Sequence, residues 1–188
     1  MTLVPEPPQP IDVLRYYERC LEGVEALKRS IGPLIEAGTA VPASRFFGMT
    51  SDEFTESLLD LRRELDHQVV LMLTASFEAI FQIDLQERVK RRKKDPLSKE
   101  LRSWWKDARR RRTEWIDLTS LLKVWKKSAG HSQVIGRMKS LVLFRHWLAH
   151  GRYWVDRSGL GDVDPLLAWQ IGKAVFDVLP GFRPLPSS

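Results

Sequence analysis

The feature that most constrains the fold is a helical repeat of apolar residues in the first half of the chain. From about residue 51 to 93, apolar side chains recur every three or four positions, as they do along one face of an α-helix. They are Phe54, Leu58, Leu61, Leu65, Val69, Leu73, Phe77 and Ile80. An unbroken helix of this length would measure about 60 Å, whereas a compact globule of this size is about 40 Å across. We therefore expect this helix either to break near residues 62–67 or to project its basic end from the body.

The rest of the chain has the same periodicity, interrupted by proline and glycine. Gly32 and Pro33 are expected to end the first helix, and no convincing run of strands or internal repeat is visible. The pattern predicts an all-α fold, a helical bundle of four to five main helices with short loops. The expected helical segments beside the long one are 11–30, 96–110, 114–128, 132–150 and 164–179.

Length and composition favour one domain in the cytoplasm. With 188 residues, 43% of them hydrophobic, the chain can form a sizeable core. We expect a single domain over 11–180, between a proline-rich tail (1–10) and a C-terminal tail (181–188). No apolar run approaches the roughly 20 residues of a membrane span, and no signal peptide is visible. Cys20 is the only cysteine, which excludes an intrachain disulfide.

The positive charge is concentrated in one segment. Residues 88–127, expected to form a basic, tryptophan-rich helical segment, contain 16 Lys or Arg and 5 Asp or Glu, whereas the rest of the chain contains 14 and 19. Basic runs interleaved with aromatic residues favour contact with nucleic acid. The alternative is a solvated helix face with the tryptophans in the core. The candidates for contact with backbone phosphates are Arg109, Arg110, Arg111 and Arg112.

The most informative motif lies at the end of the predicted helix 132–150. Arg145 is a permanent cation whose planar guanidinium suits phosphate oxygens, and His146 and His150 can transfer protons near neutral pH. Together they supply what cleavage of a phosphodiester requires without a metal ion or other cofactor. His146 and His150 could instead bind a metal, although no third ligand is evident, or the three residues could form a polar cluster at a helix end.

The spacing of the motif raises a geometric question. On a continuous helix, the side chains of Arg145 and His150 point about 140° apart. Both could reach one phosphate if His150 lay at a frayed helix end next to Gly151. Alternatively, a two-fold dimer could bring two copies of the helix together. In that case we expect the apolar dimer contacts to include Leu141, Phe144 and Leu148.

These residues resemble the HEPN domain family (higher eukaryotes and prokaryotes nucleotide-binding). The resemblance is carried by Arg145, the polar His146 after it, and His150 within Ala149-His150-Gly151; residues 73–81 are also similar to a core helix of the family. It covers roughly residues 55–180. It implies a four- or five-helix bundle that dimerises through the motif helices. It also implies a metal-independent endoribonuclease, often a toxin or an effector of antiphage defence, although some members only bind.

The resemblance also implies roles for the residues. His150 would act as general base on the ribose 2′-OH or as acid on the leaving oxygen, with His146 as a second proton shuttle. Arg145 would hold the scissile phosphate, and the product would be a 2′,3′-cyclic phosphate. Apart from the resemblance, Glu78 is a lone acid on an apolar helix; it could pair with Arg145 and fix its rotamer, or it could be exposed or paired with another residue. Candidates for RNA contact are Arg152 through a phosphate and Tyr153 through base stacking.

The expected partners are RNA, a second copy of the chain, and an antitoxin or other protein from a neighbouring gene, with no membrane partner. Two other interpretations remain. One is a HEPN module that binds RNA or nucleotides without cleaving them. The other is a helical scaffold whose basic segment docks an acidic protein.

Overall fold

The computed structural model describes residues 9–39, 45–110, 117–152, 155–182 and 185, and all regular secondary structure within them is α-helical. This confirms the all-α bundle, with six described helices where the sequence predicted four to five main ones. Each of the six corresponds to one of the helical segments expected from the periodicity. The helices are α1 (Pro10–Glu36), α2 (Ser51–Lys90), α3 (Pro96–Arg110), α4 (Leu118–Ala129), α5 (Ser132–Ala149) and α6 (Pro165–Val178).

The long helix α2 is unbroken, so the predicted break near residues 62–67 is wrong. It begins with a capping box, in which Thr50 and Glu53 each bind the backbone N–H of the other. Its basic end does not project either, because Arg88 is buried and this end packs against α3. The N-terminal half of α2 instead lies along α1, which covers its apolar side as far as the small cluster of Phe46, Phe54 and Leu58.

Helix α1 runs through Pro33 to Glu36, so the predicted end at Gly32 and Pro33 is also wrong. Proline in a helix interior removes one backbone hydrogen bond and usually costs about 3 kcal/mol. The flanking Ile31 and Ile35 both pack against the small apolar cluster beside α2. Their burial favours the helical path on either side of the proline.

The C-terminal half of α2 is the centre of the main core. It packs against α3, α5 and α6, and Phe77 and Phe81 are fully buried. One 18-residue window of α2 has a mean hydropathy of 1.4, enough by length and composition to cross a membrane, but half of that window is buried inside the protein. A central core helix has this composition for the same reason, since its neighbours cover it.

The aromatic residues of the basic segment contribute to this core. Trp125 is fully buried, and Trp104 and Trp105 are partly buried against it. Phe182, which the sequence placed in the C-terminal tail, packs its ring 5.1 Å from that of Phe81 and 5.2 Å from that of Trp125. The core interpretation therefore accounts for the described tryptophans of this segment, and the domain includes the beginning of the expected tail.

Three helix ends meet at one end of the bundle. Lys127 Nζ lies 2.9 Å from Glu100 Oε1, which pairs the start of α3 with the end of α4 and makes these two packed helices antiparallel. Only Gly130 and His131 join α4 to α5, which packs alongside it. The end of α3, the start of α4 and the end of α5 consequently lie on the same side, which we call the motif end.

Candidate functional site at the end of α5

The last turn of α5 is closed by backbone hydrogen bonds. The N–H of His150 donates to the carbonyl of His146 (3.1 Å), that of Gly151 to Leu148 (3.2 Å) and that of Arg152 to Trp147 (3.2 Å). Gly151 has a φ of 83°, the left-handed conformation that glycine adopts without a Cβ clash. The pattern is a Schellman motif, which satisfies carbonyls that a helix end would otherwise leave without a donor. This is the geometry of an ordered helix end rather than a frayed one.

The two motif histidines share a face of α5. The ring centroids of His146 and His150 are 6.4 Å apart, and the ring planes differ by only 13°. His146 is partly buried, and His150 is exposed at the helix end. Arg145, also partly buried, projects about 100° around the helix from His146. The structure therefore brings two imidazoles together next to a guanidinium and leaves one imidazole open to solvent.

Burial lowers the pKa of His146, and the positive charge of Arg145 lowers it further. Glu78 and Asp117 act in the opposite direction, because a negative charge favours the protonated imidazole. The net direction of the pKa is downward from the usual 6.5, which favours the neutral imidazole. A neutral imidazole carries a lone pair that can accept a proton.

Glu78 does not form the predicted ion pair with Arg145 in the described part of the chain. Its carboxylate instead lies near enough to His146 to raise the pKa of that imidazole. Within residues 9–39, 45–110, 117–152, 155–182 and 185, no ion pair of the Arg145 guanidinium is present. A role for Glu78 in orienting Arg145 stays a prediction.

Arg152, a predicted RNA contact, is bound within the protein. Its Nη2 lies 2.9 Å from Oε1 of Glu64, and its Nη1 lies 2.9 Å from Nδ1 of His67. Both of these partners are on α2. Tyr153, the other predicted contact in this loop, lies outside the described residues. The guanidinium of Arg152 is therefore engaged with α2 rather than held ready for a phosphate.

Arg109 and Arg110, the described members of the predicted phosphate contacts Arg109 to Arg112, lie at the motif end. Since α3 and α4 are antiparallel with residue 100 next to 127, residues near 109 lie beside the start of α4. Arg109 stacks over the ring of Trp105, with its Cζ 5.0 Å from the ring centroid. Arg110 is 3.8 Å from Asp107, and its side chain is 81% exposed. Both stay candidates for phosphate contact, whereas Arg111 and Arg112 lie outside the described residues.

The sequence analysis missed the structural role of Arg88. Its Nε lies 2.6 Å from Oδ2 of Asp84, its Nη1 3.0 Å from Oγ of Ser98, and its Nη2 donates to the carbonyl of Pro180 (2.9 Å). The i,i+4 spacing of Asp84 and Arg88 was a visible signal, but the contact with Pro180 was not. One of the basic residues counted toward nucleic-acid binding thus lies inside the protein.

The apolar dimer contacts predicted on α5 are wrong. Leu141, Phe144 and Leu148 are 0%, 2% and 8% exposed, because they pack into the core of their own chain. The outward face of α5 is different. It contains the small Gly136 and Ser140, which are partly buried, and then Leu143, which is 40% exposed. A second copy of the helix would have to contact that face.

A cavity of about 420 Å³ opens near the start of α1, and its lining includes Ile80, Asp84 and Phe182. None of the motif residues lines it. The described residues contain no group of three or more His, Cys, Asp or Glu side chains arranged to hold a metal ion, so His146 and His150 have no third ligand there.

No family model, curated protein or solved structure matches this chain. The similarity to the HEPN family thus rests on the motif residues and on residues 73–81, and it stays a prediction.

Proposed function

We propose that this protein is a metal-independent endoribonuclease of the HEPN type. The observation that carries the proposal is the end of α5, where His146, whose pKa is lowered by burial, lies parallel to the exposed His150 and next to Arg145. The resemblance of these residues to the HEPN motif supports a role as a toxin or effector in bacterial toxin–antitoxin systems or antiphage defence. The site would act in the cytoplasm.

The chemistry needs one proton acceptor and one proton donor. The 2′-OH gives its proton to the base and attacks phosphorus; the bond to the 5′-oxygen breaks, and the acid protonates that oxygen. The lowered pKa of His146 suits the base, which leaves the exposed His150 as the acid. Arg145 binds the non-bridging oxygens and stabilises their growing negative charge. The products are a 2′,3′-cyclic phosphate and a free 5′-OH.

The basic surface at the motif end supports RNA as the substrate. Arg109 and Arg110 lie at the same end of the bundle as His146, and Asp117 at the start of α4 is close enough to affect the His146 pKa. A single strand of RNA bound along these arginines would reach the end of α5. Because the mechanism uses the 2′-OH, DNA would bind without being cleaved.

A homodimer through the outward face of α5 would bring two His150 side chains together. His150 is seven residues from Leu143 and lies on the same face, whereas Arg145 is two residues from Leu143 and points about 160° away from it, so Arg145 stays outside that contact. Gly136 and Ser140 on the outward face are small enough to let two backbones approach, and Leu143 offers an exposed apolar contact. We expect the dimer to form through this face.

Two alternatives rest on the basic surface alone, which needs no imidazole. One is an RNA- or nucleotide-binding module without cleavage. The other is a scaffold that docks an acidic partner such as an antitoxin. Exposed Arg110 would serve either one.

The test compares RNA with DNA of the same sequence, in EDTA. We expect cleavage of single-stranded RNA, a cyclic phosphate product, and no cleavage when the 2′-OH is methylated. Arg145→Ala and His150→Ala should each lower the cleavage rate by about 10²-fold, the scale of positioned acid–base and oxyanion groups. Arg137→Ala, which removes an exposed arginine from the same helix, is the matched control.

Cleavage that stops in EDTA and returns with zinc or magnesium would contradict the metal-independent mechanism. RNA binding without cleavage would favour the binding module. Binding of neither RNA nor DNA would favour the protein scaffold.

A further inference from the structure

The turn that follows α5 is joined to the middle of α2 by one arginine. Arg152 contacts Glu64 through Nη2 and His67 through Nη1, each at 2.9 Å. Glu64 and His67 are three residues apart on α2, so they lie on the same face. A planar guanidinium presents two N–H groups at once and can bridge both partners, which a lysine ammonium does poorly. We call Glu64, His67 and Arg152 the α2 clamp.

The chemistry of the clamp defines the protonation of His67. A guanidinium only donates hydrogen bonds, so Nδ1 of His67 must accept one. This contact therefore requires the tautomer of His67 that carries its ring proton on Nε2. Its side chain is only 13% exposed, and its Nδ1 is also 3.9 Å from Oε1 of Glu64. The carboxylate thus faces both the imidazole and the guanidinium that it binds.

The clamp holds the residue that follows His150 from two sides. The backbone N–H of Arg152 is bound to α5 through the carbonyl of Trp147, while its side chain is bound to α2. Gly151 and Arg152 have φ angles of 83° and 61°, so the chain reverses sharply here. Helix ends open easily when nothing ties them to the rest of the protein. The two anchors on Arg152 oppose that opening at the turn that carries His150.

We propose that Arg152 is a positioning residue for His150, and that Glu64 and His67 hold it in place. The inference rests on the proposed function, since it assigns the clamp a role in the same site. It also reassigns Arg152 from an RNA contact to an internal contact. A positioning role and a phosphate contact differ in what a lysine, or the loss of Glu64, would do.

The kinetic test uses Arg152→Ala, Arg152→Lys and Glu64→Gln, with Arg157→Ala, an exposed arginine in the same connection, as the control. We expect kcat to fall about 5- to 10-fold in each of the three, because small displacements of a catalytic group reduce the rate. KM should change less than twofold. The control should leave both constants unchanged.

A phosphate contact gives the opposite pattern. Arg152→Ala would raise KM, Arg152→Lys would restore it, and Glu64→Gln would tighten RNA binding by removing a negative charge. That result would overturn the proposal.

A second measurement needs no nuclease activity. Nitrogen NMR should show His67 with an unprotonated Nδ1 and a proton on Nε2. Amide hydrogen exchange at Gly151 and Arg152 should become about tenfold faster in Glu64→Gln and in Arg152→Lys, while the core amide of Leu141 is unchanged. Unchanged exchange at the turn would overturn the clamp itself. If exchange becomes faster in these variants but the unmodified protein cleaves no RNA, the proposed function and the positioning role are wrong, whereas the contacts of the α2 clamp are supported.

Discussion

Two arginines, Arg88 on α2 and Arg145 on α5, have the same charge and opposite surroundings. Arg88 is 4% exposed, and its guanidinium binds Asp84, Ser98 and the carbonyl of Pro180. Arg145 is partly exposed beside two imidazoles, with no ion pair among the described residues. The comparison shows that the partners of an arginine, and not its charge, separate a residue that holds the fold from one that can bind a ligand.

The partners of Arg88 come from three parts of the chain. Asp84 is on α2, Ser98 is in the first turn of α3, and Pro180 follows α6. The guanidinium also lies over the ring of Trp125 on α4, with its Cζ 5.2 Å from the centroid. Burial raises the pKa of Asp84, even though the hydrogen bond from Arg88 acts to lower it. Such a pair costs desolvation energy and is stable only while both partners remain.

The largest expected effect is therefore on stability. Arg88→Ala should lower the free energy of unfolding by about 3–5 kcal/mol, because it leaves the Asp84 carboxyl buried without its partner. Arg145→Ala should change it by less than about 1 kcal/mol. Urea unfolding followed by circular dichroism measures both.

If Arg88→Ala does not fold, Arg88→Met combined with Asp84→Asn keeps the volume and removes both charges. We expect this double variant to recover most of the lost stability. Equal losses for Arg88→Ala and Arg145→Ala would show that both arginines are structural, which would remove the contrast between them.

The sequence predicted the elements whose ends are marked by local chemistry. Pro96, Gly130 and Pro165 lie at helix boundaries, where proline fits a first turn and glycine a helix end, so α3 to α6 were located within a few residues. The continuity of α2 could not be predicted in this way. It depends on α1 packing alongside, which is a tertiary contact.

The candidate site shows the same limit. The motif residues and the shared face of His146 and His150 followed from helical spacing. The burial of Leu141 in its own core did not, because an apolar face looks the same whether its own chain or a second copy covers it. The contacts of Arg88 with Pro180 and of Arg152 with Glu64 join residues 92 and 88 positions apart, and periodicity carries no information at that range.

A second prediction sharpens the description of Arg145 through its neighbour. The pKa of His146 should lie below 6.5, with burial as the main cause and the charge of Arg145 as the next. Arg145→Gln should raise this pKa toward its usual value, and Glu78→Gln should lower it further, because Glu78 favours the protonated imidazole. NMR titration of the His146 ring measures both shifts.

The downward shift of the His146 pKa affects both the stability of the protein and its cleavage rate. Because the folded pKa is lower than the unfolded one, the unfolded chain binds more protons near pH 6, so stability falls as the pH drops below 6.5. If His146 is the base, the acid limb of the rate profile should also lie below pH 6.5. Shifts of the same sign in Arg145→Gln and Glu78→Gln would contradict this electrostatic assignment.

The smallest expected effect is on the salt dependence of RNA binding. It tests whether Arg109 resembles Arg88, which holds the fold, or Arg145, which can bind a ligand. Each phosphate contact on single-stranded RNA contributes about 0.7 to the slope of log affinity against log salt. Arg109→Ala should reduce that slope by about this amount and weaken binding a few-fold for every RNA sequence. Arg91→Ala is the matched control, because Arg91 lies 3.7 Å from Glu87 at the other end of the basic segment. Its slope should equal that of the unmodified protein.

If Arg109→Ala and Arg91→Ala reduce the slope of log affinity against log salt equally, RNA binds along the whole basic segment rather than at the motif end. If neither variant changes the slope but Arg109→Ala lowers the stability, the cation–π contact with Trp105 is the main role of Arg109. Arg109 would then resemble Arg88, as a residue that holds the fold. Of the two described arginines at the end of α3, Arg110 would then be the better phosphate contact, because its exposed side chain has only the weak pair with Asp107 to lose when a phosphate binds.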